Sequence, residues 1–149
     1  MSNLVNRICN EIKNQKLDEI VIIGIDGPTA AGKTTLANNI KKKLKDTDIF
    51  IFKLDWTLKS RKFRENSLID YKKKNSFFYY EAEEHMNLHV ASNFLKRIKS
   101  LKSKKKINII LSNLYDRDGS TKNDLKVKAS IKKNTVIIIE GHYTGYKEI

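Results

Sequence analysis

Residues 27–34 have the types and spacing needed for chemistry with phosphate groups. They read Gly-Pro-Thr-Ala-Ala-Gly-Lys-Thr and fill the pattern G-x-x-x-x-G-K-[ST]. Glycines let a backbone curl so that successive N–H groups point at phosphate oxygens. Lys33 can then reach the β- and γ-phosphates of a nucleoside triphosphate, and the Thr34 hydroxyl can ligate Mg²⁺. The motif predicts a site for ATP and Mg²⁺ formed by Gly27, Pro28, Thr29, Ala30, Ala31, Gly32, Lys33, Thr34 and Thr35.

The residues on either side of the motif match the elements that position such a loop. An apolar run, Ile20–Ile23, precedes it and is typical of a buried parallel strand. Leu36, Ile40 and Leu44 follow at the spacing of one helical face. Strand, loop and helix therefore fall in the order that the motif requires, which argues against a chance match.

Two further apolar runs end on carboxylates. Residues 49–54 precede Asp55, and residues 136–139 precede Glu140. Strands that alternate with helices predict an α/β fold with a parallel sheet flanked by helices, whose ligands bind at the carboxyl ends of the strands. We therefore expect Asp55, Glu140 and the phosphate loop at one cleft, with the strand of Asp55 beside the loop.

The other segments predict helices over residues 3–16, 56–75 and 81–101, a short strand over 107–111 and a loop over 115–120. His85 and His89 would then share a helix face at a metal-binding spacing. Without a third ligand, packing or surface roles are favoured over a metal site. The length of 149 residues fits one domain.

The charge and the single cysteine limit the function classes. Lys and Arg number 30 against 17 Asp and Glu, and lysines crowd residues 96–106. We interpret this crowd as the solvated end of a helix, and we do not expect nucleic acid as a partner. No apolar run reaches the roughly 20 residues that span a membrane. Cys9 lies on an apolar stripe as a packed thiol, and together these features predict a cytoplasmic protein.

Four stretches resemble one family. They are GIDGPTAAGKTT at 24–35, KLDWTLKSR at 53–61, LYD at 114–116 with Ser120 and Lys122 after it, and VIIIEG at 136–141. In order and spacing the chain is similar to the N-terminal part of the uridine kinase and phosphoribulokinase group of P-loop kinases. The resemblance implies a magnesium- and ATP-dependent kinase that transfers the γ-phosphate to a nucleoside 5′-hydroxyl.

The resemblance also implies roles for individual residues. Asp55 would take the proton from the accepting hydroxyl, although its position also permits a helix N-cap. Glu140 would hold Mg²⁺ with Thr34, and Tyr115 would pack against the substrate base. Lys33 would stabilise the charge on the transferred group. Ser120 and Lys122 depart from the histidine and arginine common in the family. Glu81 and Glu84 are weak candidates for binding ribose hydroxyls.

The family continues into a lid with paired arginines and further strands, for which residues 1–149 contain no counterpart. We therefore expect a single P-loop kinase domain, incomplete at its C-terminus, whose strand at residues 20–25 is an exposed edge. Such an edge favours self-association, so a homo-oligomer is one partner to consider. The alternatives are a nucleotide-binding fragment without catalysis, a kinase for a sugar phosphate or pantothenate, and a basic nucleic-acid-associated ATPase.

Overall fold

The computed structural model describes residues 2–15, 20–73, 85–101 and 106–142. Its helices and strands in chain order are α1 (Ser2–Asn14), β1 (Val21–Ile25), α2 (Lys33–Lys43), β2 (Ile49–Lys53), a 3-10 helix (Leu54–Thr57), α3 (Arg61–Lys73), α4 (His89–Lys99), β3 (Ile107–Leu114), β4 (Leu125–Ile131) and β5 (Val136–Glu140).

The central sheet is parallel and has the strand order β1-β5-β2. Glu140 pairs with Ile25 on one side and with Lys53 on the other, so the three strands end at the same level. The predicted parallel sheet is confirmed. The expectation that the strand of Asp55 lies beside the phosphate loop is wrong, because β5 lies between β1 and β2. All five residues of β5 are buried, and the central position covers both its edges and both its faces.

Alternate residues of β5 face two separate cores. Val136 and Ile138 pack with α1 and α2, whereas Ile137 and Ile139 pack with α4, β3 and β4. Cys9 of α1 is fully buried in the first core, as predicted for a packed thiol. Apolar side chains on both faces of one strand therefore hold the two layers against the sheet.

Strands β3 and β4 form an antiparallel hairpin, which corrects the prediction of one short strand in an otherwise parallel arrangement. The strand at 107–111 extends to Leu114, and β4 was not predicted. A signal for β4 exists, because Leu125, Val127, Ala129 and Ile131 alternate with lysine and serine. This period of two is typical of a strand with one buried face.

The helix predicted over residues 81–101 is interrupted in the described residues: His85 is helical, and α4 begins at His89. Met86 instead forms an isolated antiparallel bridge with Leu58. His85 is buried and His89 is exposed, so the two histidines do not share a helix face. The described residues contain no group of three or more His, Cys, Asp or Glu side chains suited to a metal ion. Residues 76–84, including Glu81 and Glu84, lie outside the described residues.

Within the described ranges, β1 pairs with β5 on one side and with no strand on the other, as the expected exposed edge requires. Ile22 on this strand is 38% exposed. A groove of about 270 Å³ beside it is lined by Ile20, Ile22, Ile98 and Leu101, among others. In this part of the chain no helix is long and apolar enough to cross a membrane.

We predict that Ile138→Val lowers the free energy of unfolding by about 1 kcal/mol, because it removes a buried methyl group from the centre of the sheet. The matched variant Ile110→Val should change it by less than about 0.5 kcal/mol, because Ile110 is 68% exposed. Denaturant titration of both variants measures the two values. Equal losses would contradict the placement of β5 at the centre.

Candidate active site

The phosphate loop joins β1 to α2. Gly27 to Gly32 form the loop, and Lys33, Thr34 and Thr35 are the first residues of α2. Gly32 lies at the N-cap with φ of 83°, a left-handed conformation that glycine adopts without strain. Glycine has no side chain, so the N-cap accepts no hydrogen bond from the N–H groups of the first turn through a side-chain oxygen. The helix therefore directs its positive dipole end toward the loop, as an anion site requires.

Lys33 folds back over this loop. Its Nζ donates hydrogen bonds to the carbonyl oxygens of Gly27 and Pro28, both at 2.8 Å. The carboxylate of Asp26 accepts a bond from the Gly27 N–H at 2.7 Å. The imidazole Nδ1 of His142 lies 3.1 Å from the same Gly27 carbonyl oxygen. The ammonium group is thus held at the loop, from which it can turn to phosphate oxygens.

Thr34 and Glu140 meet across the carboxyl end of the sheet. The Thr34 hydroxyl donates to Glu140 Oε1 at 3.0 Å, and Glu140 is 5% exposed. Mg²⁺ prefers oxygen ligands, and it is commonly held by one or two carboxylates together with water and substrate phosphates. A hydroxyl and a carboxylate in contact beside a phosphate loop fit that donor set.

Gly141 lets the segment that carries Asp55 approach this pair. A Cβ atom at position 141 would lie 2.5 Å from the Cβ of Leu54, so a larger residue would push the 3-10 helix away. The Gly141 N–H also donates to the Ile25 carbonyl oxygen at 3.1 Å, which ties the ends of β5 and β1 together. The residue after Glu140 therefore sets the spacing between Glu140 and Asp55.

Asp55 is the second residue of the 3-10 helix, whose N-cap is Lys53. It therefore does not serve as the N-cap of this helix. Its Oδ2 instead accepts a hydrogen bond from Arg117 Nη1 at 2.5 Å. The Arg117 and Asp55 side chains are 63% and 39% exposed, so the ion pair contributes little to stability, about 0–1 kcal/mol.

Tyr115 lies at the cleft, but its ring is not open on all sides. The residue is 4% exposed, and the guanidinium carbon of Arg64 lies 5.0 Å from the ring centroid. Arg64 Nε also donates to the Lys59 carbonyl oxygen at 3.0 Å. On the same helix, the hydrogen bond and charge of Glu65 raise the pKa of Arg61, so this arginine stays charged. One guanidinium group, that of Arg64, therefore covers a face of the Tyr115 ring, whereas Arg61 is paired with Glu65.

The structure brings the candidate residues from four separate segments to one cleft of about 520 Å³. Its lining includes Thr34, Asp55, Tyr115 and Glu140, all predicted from the sequence. It also includes Lys53 and Arg117, which sequence reasoning missed. Arg117 directly follows the Tyr-Asp pair of the family motif, and this position was the one feature of the sequence that could have identified it as a site residue. Ser120 supports the loop: its hydroxyl donates to Asp124 at 2.6 Å and accepts the Lys122 N–H at 3.2 Å.

Comparisons with known proteins identify the family and the fold. The family model described as Phosphoribulokinase / Uridine kinase matches residues 22–149. A possible uridine kinase from Bacillus stearothermophilus has a similar structure, with a TM-score of 0.69 at 23% identity over 99% of this chain and 74% of that one. D-glycerate 3-kinase from Cryptococcus neoformans gives 0.56 at 13% identity over 92% of this chain and 52% of its own. Among curated protein sequences there is no match. The two structural likenesses show the fold.

We predict that Lys33→Ala weakens ATP binding by about tenfold or more, the scale of a lost hydrogen bond to a charged group. The control is Lys41→Ala, which removes an exposed lysine near the other end of α2. Isothermal titration calorimetry with Mg·ATP measures both affinities. If the Lys33 variant binds ATP as tightly as the Lys41 variant, the loop is not the nucleotide site.

Proposed function

Because the chain belongs to the phosphoribulokinase and uridine kinase family, we propose that it transfers the γ-phosphate of ATP to an alcohol hydroxyl of a small molecule. The observation that carries this proposal is the meeting of Thr34, Glu140 and Asp55 in one cleft beside the phosphate loop. A phosphoryl-transfer site needs a phosphate cradle, a metal-binding carboxylate and a group that orients the acceptor. Each of these three parts has a candidate residue in the cleft.

The nucleotide end of the site uses the loop and the start of α2. Backbone N–H groups of residues 27–34 bind phosphate oxygens, and Lys33 leaves the Gly27 and Pro28 carbonyl oxygens to bind the β- and γ-phosphates. Thr34 and Glu140 would hold Mg²⁺, which would offset negative charge on the phosphates. Charges that are already positioned stabilise the transferring group without reorganisation during the reaction.

Asp55 orients the acceptor hydroxyl and accepts its proton. As the hydroxyl oxygen forms its bond to the γ-phosphorus, the bond between that phosphorus and the β,γ-bridging oxygen breaks, and ADP leaves. The hydroxyl proton passes to an Asp55 carboxylate oxygen, which is partly exposed to the cleft. Asp55 therefore acts as the general base of the transfer.

A nucleoside 5′-hydroxyl is the acceptor to which the family resemblance points, and the position of Tyr115 at the cleft supports it. Arg64 over the Tyr115 ring and Arg117 beside Asp55 favour a second class, acceptors that carry an acidic group. D-glycerate 3-kinase has a similar fold, and its name indicates an acidic acceptor. A first assay therefore offers Mg·ATP with nucleosides, hydroxy acids, sugar phosphates and pantothenate.

We predict that Asp55→Asn lowers the turnover number by about 10²-fold or more with whichever acceptor is phosphorylated, because an amide cannot accept the proton. The affinity for Mg·ATP should stay within a factor of two or three, since the nucleotide is held by other residues. Steady-state kinetics and calorimetry on the same preparations separate the two effects.

The matched control is Asp46→Asn, in an exposed turn after α2, which should keep the parent turnover number. Unchanged turnover in the Asp55 variant would contradict its role as the base. Tight, Lys33-dependent ATP binding without transfer to any acceptor would instead identify a nucleotide-binding module without catalysis.

A further inference from the structure

We propose that Arg117 selects the acceptor, and that this acceptor carries a carboxylate or phosphate group only a few bonds from the hydroxyl that is phosphorylated. The inference rests on the proposed kinase function and names the substrate class of the same cleft. Its starting point is the contact of 2.5 Å between Arg117 Nη1 and Asp55 Oδ2. A hydroxyl that reaches Asp55 necessarily lies beside a guanidinium group.

The main chain builds this proximity. The Tyr115 N–H donates to the Trp56 carbonyl oxygen at 2.8 Å, and Asn123 Nδ2 donates to the Leu58 carbonyl oxygen at 2.7 Å. These bonds tie both ends of the loop between β3 and β4 to the segment that carries Asp55. The pairing of Arg117 with Asp55 therefore follows from how the loop is attached, and not only from two mobile side chains meeting at the surface.

The carboxylate of Asp116 fixes the shape of the same loop. Its Oδ1 accepts the Gly119 N–H at 3.0 Å, and its Oδ2 accepts the Ser120 N–H at 3.1 Å. The Asp116 N–H donates to the Lys122 carbonyl oxygen at 2.9 Å. The acidic side chain next to Arg117 is thus engaged with the backbone, while Arg117 extends to the cleft.

A guanidinium group has five N–H donors in a planar fork that matches carboxylate and phosphate oxygens. The contact with Asp55 uses Nη1, so Arg117 can hold an acidic group of the acceptor while its hydroxyl is at Asp55. Because the two side chains touch, that acidic group and the hydroxyl must be close in the acceptor. Short 2-hydroxy and 3-hydroxy acids meet this condition.

The cleft as a whole is not cationic, because Asp116, Asp118 and Glu140 line it together with Lys53 and Arg117. The preference for an acidic acceptor therefore depends on the cations closest to Asp55 and Tyr115. Lys53 lines the cleft, and Arg64 lies over the Tyr115 ring. A neutral base stacked on that face of Tyr115 would have to displace the Arg64 guanidinium. An acidic group would instead gain a further nearby cation.

The test measures binding and turnover with acidic and neutral acceptors, one pair of which differs essentially in charge alone. The probes are glycerate and its neutral amide, glyceramide, with glycerol 3-phosphate as the phosphate arm and uridine as the neutral nucleoside. Each is titrated by calorimetry into the protein saturated with Mg·ADP, and each is assayed as an acceptor with Mg·ATP. The binding measurement gives a result even if turnover is too slow to detect.

We expect glycerate or glycerol 3-phosphate to bind at least about tenfold more tightly than glyceramide and uridine. Arg117→Ala should weaken binding of the acidic probe, and lower its kcat/KM, by about 10- to 100-fold while leaving the affinity for Mg·ADP unchanged. Arg117→Lys should recover part of the loss, because it keeps the charge but not the fork.

The control variant is Arg7→Ala, which removes another exposed arginine that pairs with a carboxylate, Glu11 of α1, at 3.6 Å. It should bind the acidic probe as the parent does. Preference for glycerol 3-phosphate over glycerate would identify the acidic group as a phosphate. Equal binding of charged and neutral probes, or an Arg117→Ala variant that binds the acid normally, would overturn the inference. Failure of the parent protein to bind Mg·ADP would instead contradict the proposed function.

Discussion

The position of β5 between β1 and β2 is the constraint on which the site depends. Its residues are buried on both faces, so the strand needs a parallel neighbour on each side and a covering layer above and below. The register then ends β1, β5 and β2 at the same level. Consequently the phosphate loop, Glu140 and Asp55 reach one edge of the sheet although they are far apart in the chain.

The second constraint is the attachment of the β3–β4 hairpin to that edge. Phe52, Leu54, Phe94 and Ile109 belong to the same core, so the hairpin, α4 and the segment before Asp55 pack as one unit. Its loop carries Arg117 and Tyr115 into the cleft. The Asp55–Arg117 ion pair is partly exposed and contributes little to stability, so its significance lies in placing a guanidinium group beside Asp55.

Sequence reasoning found the parts of the site that local patterns specify. The G-x-x-x-x-G-K-T spacing, the three apolar strands and the carboxylates Asp55 and Glu140 are each visible within a dozen residues, and Thr34, Asp55, Tyr115 and Glu140 do line one cleft. The prediction of metal and catalytic roles for them stays a prediction. Burial of Cys9 was also anticipated correctly, and so was the edge position of β1 within the residues that the structure describes.

The features that sequence reasoning missed depend on contacts between distant segments. The position of β2 is one, because nothing near residue 55 reveals that β2 pairs with β5 and not with β1. The bridge between Leu58 and Met86 is another, because the spacing of apolar residues around Met86 predicts a helix and gives no sign of pairing with Leu58. In the sequence, Arg117 cannot be distinguished from the other surface cations, because the chain has 30 Lys and Arg. Only its contact with Asp55 in the structure identifies it as a candidate site residue.

A crystal structure of the protein with Mg²⁺ and a non-hydrolysable ATP analogue tests the central claim most directly. The account predicts the γ-phosphate on Lys33 and the loop N–H groups, Mg²⁺ on the Thr34 hydroxyl with Glu140 bound directly or through one water, and Asp55 facing the γ-phosphate. A nucleotide bound elsewhere, with Lys33 still on the Gly27 and Pro28 carbonyl oxygens, would contradict it.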